Sequence, residues 1–78
     1  VIHVLTSDLT IGDLWVTGLD NRFWILIHKC EDTVLIDNKT MSVWNLTWFG
    51  KKGQDNIGLI QDTWISGSSF KILSRGKE

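Results

Sequence analysis

Seventy-eight residues make a single domain, 1–78, near the size at which one core supplies little stability without a disulfide, a metal or a second subunit. Cys30 is the one cysteine, so no internal disulfide can form, and with two histidines the chain has too few ligands for a compact Cys/His zinc site. Eight basic against nine acidic residues leave a formal charge of −1, which supplies no bulk field to attract nucleic acid.

Hydrophobic residues make up 42% of the chain, enough for a packed core, yet runs such as Phe23-Trp24-Ile25-Leu26-Ile27 are far too short to span a bilayer. No membrane association is expected, and a lone thiol suits a reducing, cytoplasmic setting. Five tryptophans, Trp15, Trp24, Trp44, Trp48 and Trp64, stand in a chain with no tyrosine and no proline. Each is a large apolar body with one N–H that wants a partner, so a small core should enclose some and leave the rest at a contact surface.

In chain order, β-branched and aromatic runs predict strands over Val1–Leu5, Asp13–Thr17, Arg22–Cys30, Thr33–Asp37, Thr40–Phe49, Ile57–Ile65 and Phe70–Leu73. Turn formers separate them at Ser7–Gly12, Gly18–Asn21, Glu31-Asp32, Asn38-Lys39, Gly50–Asn56 and Ser66–Ser69. No stretch keeps a helical period, so the class is all-β.

Short loops determine register. A four-residue loop at Gly18–Asn21 pairs Thr17 with Arg22, Val16 with Phe23, Trp15 with Trp24 and Leu14 with Ile25. A two-residue turn at Glu31-Asp32 sets Cys30 opposite Thr33, Lys29 opposite Val34 and Ile27 opposite Ile36. One at Asn38-Lys39 sets Ile36 opposite Met41 and Val34 opposite Val43. All three hairpins group Leu14, Val16, Phe23, Ile25, Ile27, Val34, Ile36, Met41 and Val43 on one face, which is expected to be the core. Trp15, Trp24 and Trp44 then face outward, with Arg22 near enough to stack on the Trp15–Trp24 pair. Strict alternation past Val43 would bury Asn45 and Thr47, so a bulge near Trp44 or Asn45 is expected, turning Leu46 and Trp48 inward. Trp64 is left unplaced by the pattern.

Consecutive short antiparallel strands, one bent enough to serve two sheets, describe a small, partly open barrel of five to seven strands. In Gly12-Asp13-Leu14-Trp15, Arg22-Phe23-Trp24-Ile25-Leu26 and the ending Trp64-Ile65-Ser66-Gly67-Ser68-Ser69-Phe70-Lys71-Ile72-Leu73, the chain resembles the SH3-like small barrels. The resemblance covers most of the chain from Gly12 on, and such endings occur in many small bacterial and phage-encoded proteins. It implies last strands joined by a single 3₁₀ turn, and a binding module whose partner is set by its loops. The tyrosine-rich motif and groove proline of signalling SH3 domains are missing, so polyproline binding is not implied. The glycine-centred KOW motif is not evident either.

His28 and Cys30, two apart on one strand, share a face, but no orienting acid, oxyanion donor or further ligand accompanies them, so the expectation is an edge-of-sheet histidine, a small apolar cysteine and no enzyme. Aspartates at turns are explained by local backbone bonding, and Gly50-Lys51-Lys52-Gly53 lacks the spacing and helix of a phosphate loop. No cofactor is expected. The sequons Asn38-Lys39-Thr40 and Asn45-Leu46-Thr47 are short, common matches within strand-like sequence.

The expected function is therefore a non-enzymatic protein-binding module, self-association included, with Trp15, Trp24, Trp44, Arg22, Lys51 and Lys52 as the contact residues. The alternative is single-stranded nucleic-acid binding, with bases stacked on Trp15 and Trp24 and Arg22, Lys29, Lys39, Lys51 and Lys52 on the backbone.

Overall fold

A computed structural model describes residues 2–17, 22–51 and 56–76. These residues form six strands: β1 (Ile2–Leu5), β2 (Leu14–Val16), β3 (Phe23–Ile36), β4 (Lys39–Lys51), β5 (Ile57–Ile65) and β6 (Ser69–Ser74). A 3₁₀ turn, Thr6–Asp8, follows β1. The strands make one antiparallel sheet in the order β1-β6-β2-β3-β4-β5, whose two edges, β1 and β5, do not pair, so the sheet is not closed into a barrel.

The first hairpin has the expected register, with Leu14 opposite Ile25, Trp15 opposite Trp24 and Val16 opposite Phe23, and the Thr17 N–H donating to the Arg22 carbonyl at 2.9 Å. The second expected turn does not form. β3 runs straight through Glu31 and Asp32, which face Trp44 and Val43 of β4, and the Ser42 hydroxyl donates to the Glu31 carboxylate at 3.2 Å. The chain reverses instead at Asp37 and Asn38, with φ of 51° and 62°. Positive φ at both central residues is what a two-residue hairpin turn requires, and short Asp and Asn side chains tolerate it. The hairpin thus closes one residue earlier than expected, pairing Val34 with Met41 and Ile36 with Lys39. The resulting offset of two residues leaves each side chain on the face it was assigned.

No bulge forms near Trp44 or Asn45, where one was expected; the register shift between β3 and β4 lies in β3 instead. Leu26 pairs with Trp48 and His28 with Thr47, so Ile27 is the extra residue. Before it, Trp24 and Leu26 face the core; after it, the inward positions fall on Lys29 and Glu31. That one residue lets β4 keep Leu46 and Trp48 inward without a break of its own.

The core side holds the main correction. Val4, Leu9, Trp24, Leu26, Leu46, Trp48, Phe70 and Ile72 form the buried cluster, with Trp15, Trp44 and Ile60 packed against it. The set expected inside does share one face, but that face is the outer one. Phe23, Ile25, Ile27 and Ile36 are exposed, Leu14, Val16, Val34 and Met41 are half-buried, and Val43 is buried apart from the main cluster. The reason is area: an indole buries far more apolar surface than an aliphatic side chain, and the larger payload takes the covered side. Trp24 is also given room there, because its cross-strand neighbour is Gly50, which is paired in turn with Gly58.

β1 belongs to this same sheet, pairing with β6 from Ile2–Ile72 to Leu5–Ser69. Buried Thr6 fastens the corner, its N–H and hydroxyl both reaching the Ser68 carbonyl at 2.8 and 3.0 Å. Between β5 and β6 lies a tight turn at Ser66-Gly67, closed by the Ser68 N–H on the Ile65 carbonyl, in place of the expected 3₁₀ turn.

Candidate functional site

The five tryptophans lie on the inner face. Trp48, fully buried, touches Trp15 at 5.0 Å between ring centroids and Phe70 at 5.5 Å; Trp15 and Trp64 each meet Phe70 edge-on, at 5.1 and 5.4 Å. The Trp44 N–H donates to the Ser66 hydroxyl at 3.0 Å, and Lys29 Nζ sits 4.3 Å from its ring centroid. Trp48 Nε1, by contrast, is buried without a hydrogen-bond partner among the described residues. Trp64, 40% exposed, is the indole of this group most open to solvent.

Two charged groups seal the rim of this core. Asp13, fully buried, accepts from the Thr10 N–H and hydroxyl, both at 2.9 Å, from Arg75 Nε at 3.2 Å and from the Gly76 N–H at 2.6 Å. Burial pushes its pKa up, but the bonds from Gly76, Thr10 and Arg75 outweigh that and hold it below its ordinary value of 3.8. Lys29 donates to the Ser7 and Leu9 carbonyls at 2.8 and 2.6 Å. Burial lowers its pKa against the opposing pull of Asp8, Asp13 and Glu31. Both networks tie the segment between β1 and β2 to the sheet, and all their partners are internal.

Of the residues expected to bind a partner, Trp24 is 4% exposed, and Trp15 and Trp44 are half-buried against the core, so the outward Trp15–Trp24–Trp44 surface does not form. Arg22 is half-buried just before β3, its carbonyl held by Thr17. Lys51 is exposed at the end of β4, and Lys52 lies outside the described residues.

The solvent-facing side of the sheet carries an exposed apolar field of aliphatic and phenylalanine side chains. Ile25 of β3, Phe49 of β4 and Leu59 of β5 stand in one cross-strand row, each 37–48% exposed. Phe23 and Ile57 extend the row toward one end, and Ile27, at the bulge, toward the middle. Farther along, the same face turns polar: His28, Thr47 and Gln61 form one row, Cys30, Asn45 and Thr63 the next, and together they line an open trough of about 540 Å³. His28 and Cys30 do share a face, but β3 is an interior strand, so His28 is not at an edge. Thr63 donates to the Asn45 side chain at 2.7 Å, and Asn45 to Asp32 at 3.5 Å, so part of the trough's polarity is already engaged. Beyond it Val34, Ile36, Met41 and Ile65 form a second apolar field on the β3–β4 ribbon. The outer face thus combines a flat apolar field with a shallow polar strip, whose trough is also lined by Asp62 beside His28 and Cys30.

No family model, curated protein or solved structure matches the chain. Among the described residues no helix is long and apolar enough to cross a membrane.

Proposed function

We propose that this chain is a non-enzymatic protein-binding module of SH3-like architecture that engages its partner through the outer face of β3, β4 and β5. The observation that carries the reading is the row Ile25–Phe49–Leu59 with Phe23, Ile27 and Ile57 around it, a contiguous apolar field left in water. Large exposed apolar patches on small soluble domains mark interaction surfaces far more often than they occur by chance. The SH3-like part rests on two long strands, β3 with a bulge at Ile27 and β4, and on a first hairpin that pairs with the last strand. Fold likeness by itself specifies no partner.

Single-stranded nucleic acid is the lesser reading. Its intended platforms, Trp15 and Trp24, are packed on the core side, and the exposed rings of the outer face are Phe23 and Phe49, bordered by Lys51. The test compares affinity capture by the natural chain and by Ile25→Lys/Phe49→Lys, with folding of both checked by circular dichroism. Partners should be retained by the natural chain in high salt and lost by the variant. Retention by the folded variant overturns the reading, and a steep loss with salt points to nucleic acid instead.

A further inference from the structure

Among the described residues the sheet ends at β5, and no strand covers this edge. β5 runs nine residues and pairs with β4 along its whole length without a register shift, from Val43–Ile65 to Lys51–Ile57, while its other side is paired to no strand among the described residues. Unpaired N–H and C=O groups along an edge are a template for another strand, and natural edges are usually blunted by lysine, proline, a bulge or shortness. Ile57-Gly58-Leu59-Ile60-Gln61-Asp62-Thr63-Trp64-Ile65 has no lysine, no proline and no bulge, and one charge, Asp62. The opposite edge, β1, is only four residues long.

We propose that β5 pairs antiparallel with β5 of a second copy, about a two-fold axis through Gln61. This goes beyond the reading of the outer face as a contact surface: the seam is the edge of the sheet, and the apolar rows of that face continue across it. Centring on Gln61 is the register that pairs all nine residues. On the outer face it sets Ile57 against Ile65 of the second copy at both ends, Leu59 against Thr63, and the two Gln61 amides against each other. On the inner face Gly58 lies opposite the second copy's Trp64, leaving space beside the most exposed indole of the inner cluster. Asp62 meets Ile60, so like charges are never directly opposed. Such self-complementarity is the requirement of a closed two-fold contact, whereas β1 against β5 would be head-to-tail and open-ended.

Sedimentation of the full chain over a concentration series tests the association. The mass should rise from 8.9 kDa toward twice that value, and Gln61→Lys, which places like charges opposite each other, should weaken association about fivefold. Register is tested in a Cys30→Ser background under mild oxidation. Gln61→Cys should cross-link two chains, since opposed Cα atoms fall within disulfide reach, whereas Thr63→Cys should not, its two thiols lying four residues, about 13 Å, apart along the strands. A chain that stays at 8.9 kDa throughout, or a Thr63→Cys variant that links as fast as Gln61→Cys, overturns the proposal. Ile25→Lys, on β3 away from the seam, should leave self-association unchanged. A monomeric chain that still loses its partner through Ile25→Lys would therefore sink this inference while sparing the binding reading.

Discussion

The two faces of this sheet are both strongly apolar, yet only one carries the main buried cluster. The inner face carries the indoles and is closed by Val4, Leu9, Phe70 and Ile72, while the outer face carries Phe23, Ile25, Phe49 and Leu59 and is left in water. Neighbouring residues on one strand thus have opposite fates: Trp48 is fully buried and Phe49 is 45% exposed. The difference teaches that hydrophobicity alone does not choose the inside of a small sheet. The side that can gather the largest rings, and be capped by other elements, becomes the core, and the remaining apolar side is available for contact.

The sharpest way to break this comparison is to truncate neighbours on the two faces. Trp48→Ala should cost about 3–5 kcal/mol and Phe49→Ala under about 1 kcal/mol in urea denaturation. Equal losses would mean that the outer face is covered in solution. Next in size is the rim of the core, where Asp13→Ala strands the Gly76 and Thr10 donors and the Arg75 charge and should cost about 3 kcal/mol. The same carboxylate has a depressed pKa, so its contribution is complete above its unfolded value of 3.8 and is lost as pH falls through the lower folded value. Acid titration of the natural chain should therefore show a loss of stability below about pH 4 that Asp13→Asn largely lacks.

A smaller effect is expected at Gly50, where an added Cβ would meet the Phe23 carbonyl and come within 2.7 Å of the Trp24 ring. Gly50→Ala should cost about 1–3 kcal/mol by displacing that indole, with a change in its fluorescence. Smallest of all, Ile25→Lys on the outer face should shift stability by no more than about 0.5 kcal/mol while reducing the binding of an apolar dye. A loss of several kcal/mol there would show that Ile25 belongs to a buried layer.

Much of the strand framework was legible. The pairing of Trp15 with Trp24 followed from loop length, and the grouping of Ile25, Ile27, Ile36, Met41 and Val43 on one face is correct, as is the inward turn of Leu46 and Trp48. What misled was the choice between faces. Counting apolar positions favoured the aliphatic side, whereas summed area favoured the tryptophans, and Gly50 opposite Trp24, with Gly58 next in that row, was the available signal. Glu31-Asp32 looked like a turn by composition, but its pairing with Trp44 and Val43 continues the strand, and it is Asp37 and Asn38 that adopt the positive φ of the two-residue hairpin turn. The candidate site moved with the face: Phe23, Ile25 and Ile27 were expected in the core, Phe49, Ile57 and Leu59 were not assigned to it, and the trough that His28 and Cys30 line depends on Asn45, Thr47, Gln61 and Thr63 from two other strands.

Local chemistry, written in the sequence, determined that the chain is all-β, where most strands lie, and which side chains share a face, because alternation and short turns act over a few residues. Tertiary structure decided which face is inside, where the bulge falls and which strand is left as an open edge. Those outcomes depend on what covers a surface, and the covering elements, Val4, Leu9, Phe70 and Ile72, lie at the two ends of the chain, beyond the reach of any local pattern.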